Sequence, residues 1–210
     1  MYGRVHQALG KYLRNNLLLY ALIILFFITG IVFGALGVRT LNVKQELELV
    51  TYVDRFLFTI DPASLSSQLI AQHAITNNLK LILTIWFLGL TVIGIPIIIG
   101  LVFTRGFVLG FTVGFLVYQK MWSGVVLTLT AILPQNLLNI PTLVVAGVTA
   151  VSFSTYLVRG RFQPGAAALW GQFINYSLLM LMLCLVAGLA GIIEAYISPL
   201  AIKLVTVYFP

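Results

Sequence analysis

The stretch LLLYALIILFFITGIVFGALGV, Leu17 to Val38, runs for 22 residues without a charge and decides the solvent in which this chain folds. At 1.5 Å per helical residue, roughly 20 residues cross a hydrocarbon core about 30 Å thick. A second run of the same kind extends from Leu81 to Thr104. Twelve Lys and Arg and five Asp and Glu make only 8% of the 210 residues charged, where a soluble domain of this length carries about a quarter. No water-facing surface can be built from that composition, so the chain is read as an all-α integral membrane protein.

Working outward from the first run, the expected spans are Leu17–Val38, Leu79–Phe103, Gly106–Trp122, Leu138–Val158 and Trp170–Tyr196, in one polytopic domain over residues 1–210. The first is expected to remain uncleaved, because it exceeds a usual signal core and Gly34-Ala35-Leu36-Gly37 is a weak cleavage site. Arg4, Lys11 and Arg14 precede it and point to a cytoplasmic amino terminus, which with five spans puts the carboxyl terminus outside. Arg105, Arg159 and Arg161 then fall inside, and basic residues are denser in these short inner loops than on the other side. The turn Thr104-Arg105-Gly106 is expected to join spans two and three as an adjacent antiparallel hairpin.

Residues Met121 to Val158 carry no charge over 38 positions, too many for one crossing. Pro134 and Pro141 interrupt them, with Gln135, Asn136 and Asn139 between. A short broken or re-entrant segment followed by a polar turn and then span four accounts for this pattern, provided protein or a watery cavity surrounds the irregular backbone. The outer loop 39–78 contains Val43, Leu47, Val50, Val53, Leu57 and Ile60 at helical spacing, an amphipathic helix. Asp61-Pro62 suits the start of a second one. A faint repeat, Asn15-Asn16-Leu17 against Asn77-Asn78-Leu79, is no stronger than chance between two apolar helices.

The net charge of +7 does not imply a nucleic-acid partner, because the basic residues stand singly beside apolar runs. No catalytic, cofactor or metal site is expected. The histidines are His6 and His73, without ligand-like neighbours, and the aspartates are Asp54 and Asp61 in the outer loop, so zinc-protease and intramembrane aspartyl chemistry lack their residues. The single Cys184 can form no internal disulfide. Glu194 ends a 32-residue charge-free run, and three readings stand: a buried lock onto the polar turn at Gln135, Asn136 and Asn139; an interfacial carboxylate facing water or Lys203; and an ion site. Gly106, Gly110 and Gly114, like Gly30 and Gly34, clear one helix face for close approach of another backbone, within the chain or between copies in a homo-oligomer.

Ile132-Leu133-Pro134-Gln135-Asn136-Leu137, the run from Arg105 to Phe115, and Glu194-Ala195-Tyr196-Ile197-Ser198-Pro199 together resemble the stage II sporulation protein M family over nearly the whole chain. Phe33-Gly34-Ala35, Asn78-Leu79-Lys80 and Gly94-Ile95-Pro96 stand in matching order. The broader family has a proline-histidine-glycine turn followed by a glutamate where Gln135, Asn136 and Asn139 stand here, and amides do not titrate near neutral pH. The resemblance implies a scaffold without hydrolase chemistry of its own, in the mother-cell membrane of an endospore former. It would recruit the peptidoglycan hydrolases stage II sporulation proteins P and D to the septum during engulfment. The rival class is a small transporter or channel built on Pro96, Pro134, Pro141 and Glu194.

Overall fold

The computed structural model describes residues 16–59, 67–160 and 166–208, with side chains described for 16–52, 71–158 and 169–196. Every element among them is helical: α1 (Leu17–Gly37), a 3-10 turn (Val38–Thr40), α2 (Val43–Thr59), α3 (Ser67–Gly89), α4 (Gly94–Leu127), a π-helical turn (Thr128–Ile132), α5 (Leu133–Gly160) and α6 (Ala166–Tyr208). Among the described residues, three stretches are long and apolar enough to cross a membrane: Leu17–Thr40, Gly94–Val158 and Leu169–Tyr196.

α1 shows how such a helix partitions its surface. Only Ile23, Phe27, Gly30 and Gly34 are buried, a stripe at helical spacing, while Leu18, Leu25, Phe33 and Leu36 stand exposed. In water that apolar patch would be an aggregation surface, whereas lipid solvates it at no cost.

The stretch Gly94–Val158 is 65 residues long, about 98 Å as one straight helix and more than three times the hydrocarbon thickness. It reverses at Met121, the only described non-glycine residue in the left-handed region, at φ 46° and ψ −118°. A β-carbon at Gly124 would overlap the Leu116 carbonyl oxygen, and Leu116 packs with Leu127 and Ala131. In an uninterrupted helix residues eight apart are separated by about 12 Å, so these contacts require the chain to fold back. The second arm then returns along the first: Gly147 lies against Val102, and the buried Ser154 Oγ donates to the Thr91 carbonyl at 2.9 Å.

Three sequence expectations are corrected. Thr104-Arg105-Gly106 is not a turn but lies within α4, so Leu79–Phe103 and Gly106–Trp122 are not the helical units. The turn falls at 90–93, where Leu90 N–H donates to Phe87 O and Thr91 N–H to Leu88 O. Gly94 permits the close approach to the Leu88 carbonyl there, and Pro96 sits in the first turn of α4, where a missing N–H breaks no helical bond. Nor do α3 and α4 form a tight pair: α4 packs chiefly on α1, and α3 on α6. The third correction concerns Pro134 to Pro141, which is helical in α5 rather than a polar turn. The irregularity falls just upstream, where Leu133 N–H reaches back five residues to Thr128 O in the π turn. Widening the helix there admits Pro134, whose ring would otherwise crowd the preceding turn.

The core gathers Ile23, Ile85, Ile98, Val102, Val148 and Met180 from five helices. Its polar clasp is Tyr176 on α6, whose hydroxyl donates to Trp86 O at 2.8 Å, one of the carbonyls left unpaired near the end of α3. Tyr176 also stacks on Phe153 of α5, with centroids 4.4 Å apart, while Trp86 Nε1 donates to Ser177 Oγ.

α2 forms as its spacing predicts. Asn42 opens it, with its N–H accepted by Gln45 Oε1 at 3.0 Å, one half of a capping box. Gln119 Nε2 donates to Glu46 Oε1, tethering α2 to the Met121 end of α4. The expected helix start at Asp61-Pro62 lies outside the described residues, as do Arg4, Lys11, Arg14 and Arg161.

Candidate functional site

Two features stand out in the bundle: a glycine seam and a polar cavity. The seam joins α1 and α4. A β-carbon at Gly30 would overlap Phe103 O, and at Gly34, Phe107 O; from the other side, Gly106 meets Phe27 O and Gly110 meets Ile31 O. A β-carbon at Gly114 would lie 3.2 Å from Ala35 Cα. Residue numbers rise together on both helices, so they run parallel. Gly30, Gly34, Gly106 and Gly110 each admit the partner's carbonyl oxygen, an arrangement that permits weak Cα–H···O bonds. The five glycines singled out by their spacing therefore face one another within a single chain.

The cavity, about 260 Å³, lies among α3, α4, α5 and α6. α5 contributes Gln135, Asn136, Asn139 and Thr142, whose spacing presents successive turns of one helix to it. Asn136 Nδ2 donates to Ile132 O at 2.8 Å and Thr142 Oγ1 to Leu138 O at 2.7 Å. α3 contributes Asn77 and Asn78, the latter reaching Ala187 O at 3.4 Å. Arg105 and Thr112 enter from α4 and the half-buried Glu194 from α6. Arg105 and Glu194 are electrostatic partners across this space. Asn77, Arg105 and Val108 are exposed, which puts the mouth between α3 and α4.

Glu194 thus does meet the level of Gln135, Asn136 and Asn139, two residues before the end of the apolar stretch Leu169–Tyr196. α6 continues to Tyr208, and the carboxylate faces a guanidinium from the interior of α4. Lys203, the alternative partner, has no described side chain. Pro141 belongs elsewhere: with Ile31, Ala35, Gly110, Gly114 and Leu137 it lines a separate, almost wholly apolar groove of about 680 Å³ beside the glycine seam. Pro134 lies at the second position of α5, just after the π turn. Arg105 is the residue sequence reasoning misplaced. The glycine register gave no signal for it, because Gly106, Gly110 and Gly114 share a face equally well in a helix that begins at Gly106.

Among the described residues no group of three or more His, Cys, Asp or Glu is placed to hold a metal ion. Long apolar helices with lipid-facing surfaces, enclosing a polar cavity with one cation and one anion, define an integral membrane protein of the helical-bundle class. Residues 23–199 match the family model described as stage II sporulation protein M, and the chain belongs to that family. No curated protein and no solved structure matches it.

Proposed function

We propose that the protein is a membrane scaffold of endospore formation, which recruits and anchors the peptidoglycan hydrolases stage II sporulation proteins P and D at the septum during engulfment. Family membership over residues 23–199 is the observation that carries this reading. The bundle would cross the membrane five times, through α1, α3, the two arms that meet at Met121, and α6. The amino terminus would be cytoplasmic and the Met121 end outside, in the mother-cell membrane. On that outer end α2 offers exposed Val43, Leu47 and Tyr52, an apolar face beside acidic and basic side chains, suited to the membrane surface or to a partner's anchor. The test is co-purification from sporulating cells in mild detergent. Recovery of both hydrolases supports the scaffold; recovery of neither refutes it.

The cavity with Arg105 and Glu194 supports a second reading, a small transporter or channel. Solute or ion flux in proteoliposomes that is lost in Glu194→Gln would establish it, and flux equal to that of empty vesicles would remove it.

A further inference from the structure

The cavity has a charge arrangement the scaffold reading does not use. Within the described residues, the Arg105 guanidinium and the Glu194 carboxylate each lack a direct hydrogen bond or close ion pair, and so do the amides of Asn77 and Asn139. A bundle that only needed to neutralise the half-buried Glu194 would bring the two groups into contact, since a separated pair in low-dielectric surroundings loses most of the benefit. Here cation and anion are held apart around about 260 Å³, room for about eight or nine waters and well beyond a single structural water. The walls between them are partly apolar, Leu81 and Leu109 among them, and the mouth lies between α3 and α4.

We propose that this cavity binds a zwitterionic group, with a primary ammonium at Glu194, a phosphate or carboxylate at Arg105, and the Asn77 and Asn139 amides completing the hydrogen bonds. A guanidinium presents a planar fork of donors matched to an oxyanion, and a carboxylate accepts from an N–H-bearing ammonium. A group carrying one charge satisfies one side and leaves the other unmatched, which is the basis of selectivity. The same chemistry is found in the ethanolamine headgroup of a phospholipid and in a free amino acid or phosphoethanolamine. This inference is independent of whether hydrolases are recruited.

The full chain in detergent micelles is offered equal amounts of phosphatidylethanolamine, phosphatidylglycerol and phosphatidylcholine, and retained lipid is counted by native mass spectrometry. In parallel, thermal unfolding is followed with O-phosphoethanolamine or alanine, and with ethylamine or acetate as single-charge controls. At least tenfold preference for phosphatidylethanolamine over both other lipids supports the site with a lipid source. A midpoint raised by the soluble zwitterions and by neither control supports it with a soluble source. Arg105→Gln and Glu194→Gln should each reduce the preference, or the midpoint shift, at least fivefold, an effect that simple loss of stability would not have on a ratio between ligands. Should either variant fail to accumulate, the wild-type selectivity decides. Equal retention of all three lipids together with no response to the soluble zwitterions overturns the proposal, as does selectivity unchanged in both variants.

Discussion

Replacing Gly34 with alanine adds one methyl group where the space is already taken by a backbone oxygen. The methyl would overlap the Phe107 carbonyl and lie 2.7 Å from Phe111 N, and neither atom can rotate aside as a side chain would. α1 and α4 must therefore separate, and because the seam is reciprocal, Gly30, Gly106 and Gly110 lose their close contacts at the same time. Overpacking of this kind costs about 1–3 kcal/mol. Loosening neighbouring Cα–H···O contacts adds about 0.5–1 kcal/mol, so Gly34→Ala should destabilise by about 1.5–4 kcal/mol. Gly37, one turn further along, supplies the control, since a β-carbon there meets nothing nearer than the Phe107 ring at 3.5 Å. Gly37→Ala should change stability by less than about 0.5 kcal/mol. Reversible unfolding in mixed micelles of increasing denaturing-detergent fraction measures both. Equal stability of the two variants would show that α1 and α4 do not meet through these glycines.

Three other outcomes are expected. Met121→Gly should stabilise the reversal by about 1 kcal/mol, because glycine adopts a positive φ without the clash a side chain incurs; a loss of stability in the same assay would place the reversal elsewhere. In a double-mutant cycle, Arg105→Leu and Glu194→Leu should couple by about 1 kcal/mol, the double change costing less than the sum, since each single change leaves the opposite charge unmatched; strict additivity would separate the two sites. Cysteines placed at Asp54 and Tyr208, with Cys184 replaced, should both react with an impermeant reagent on intact cells, whereas labelling of only one would make the number of crossings even.

α1 could be read directly because it is apolar all round and bounded by charge, and the glycine faces because a four-residue spacing fixes one side of a helix whatever its surroundings. Arg105 could not be placed by the same logic. Charges between apolar runs normally mark loops, and this one lies at a cavity inside a helix, where Glu194 opposes it. The sequence between Pro134 and Pro141 misled for a related reason. Prolines and amides read as a turn in water, but in a membrane the backbone satisfies itself by staying helical, and the strain moves to a π turn upstream. Membership of the polar cavity was half legible: Gln135, Asn136, Asn139 and Glu194 stand out as polar residues in apolar runs, while Asn77 and Asn78 resemble the ordinary polar edge of a span.

The pairing of α1 with α4, and of α3 with α6, has a bearing on how the chain is made. Gly30 meets Phe103, so when α1 leaves the ribosome its partner is still more than 70 residues away. At synthesis rates of about 5–20 residues per second, the exposed carbonyls and glycines of α1 wait in lipid for about 4–15 s. α3 arrives during that interval, but its own partner is the last of the described helices to emerge. Neither main pair can close until the following segments are in the bilayer, so insertion and assembly are separate events for this protein. A truncation that ends before α4 would leave a glycine-faced helix free to pair with whatever neighbouring helix the membrane presents.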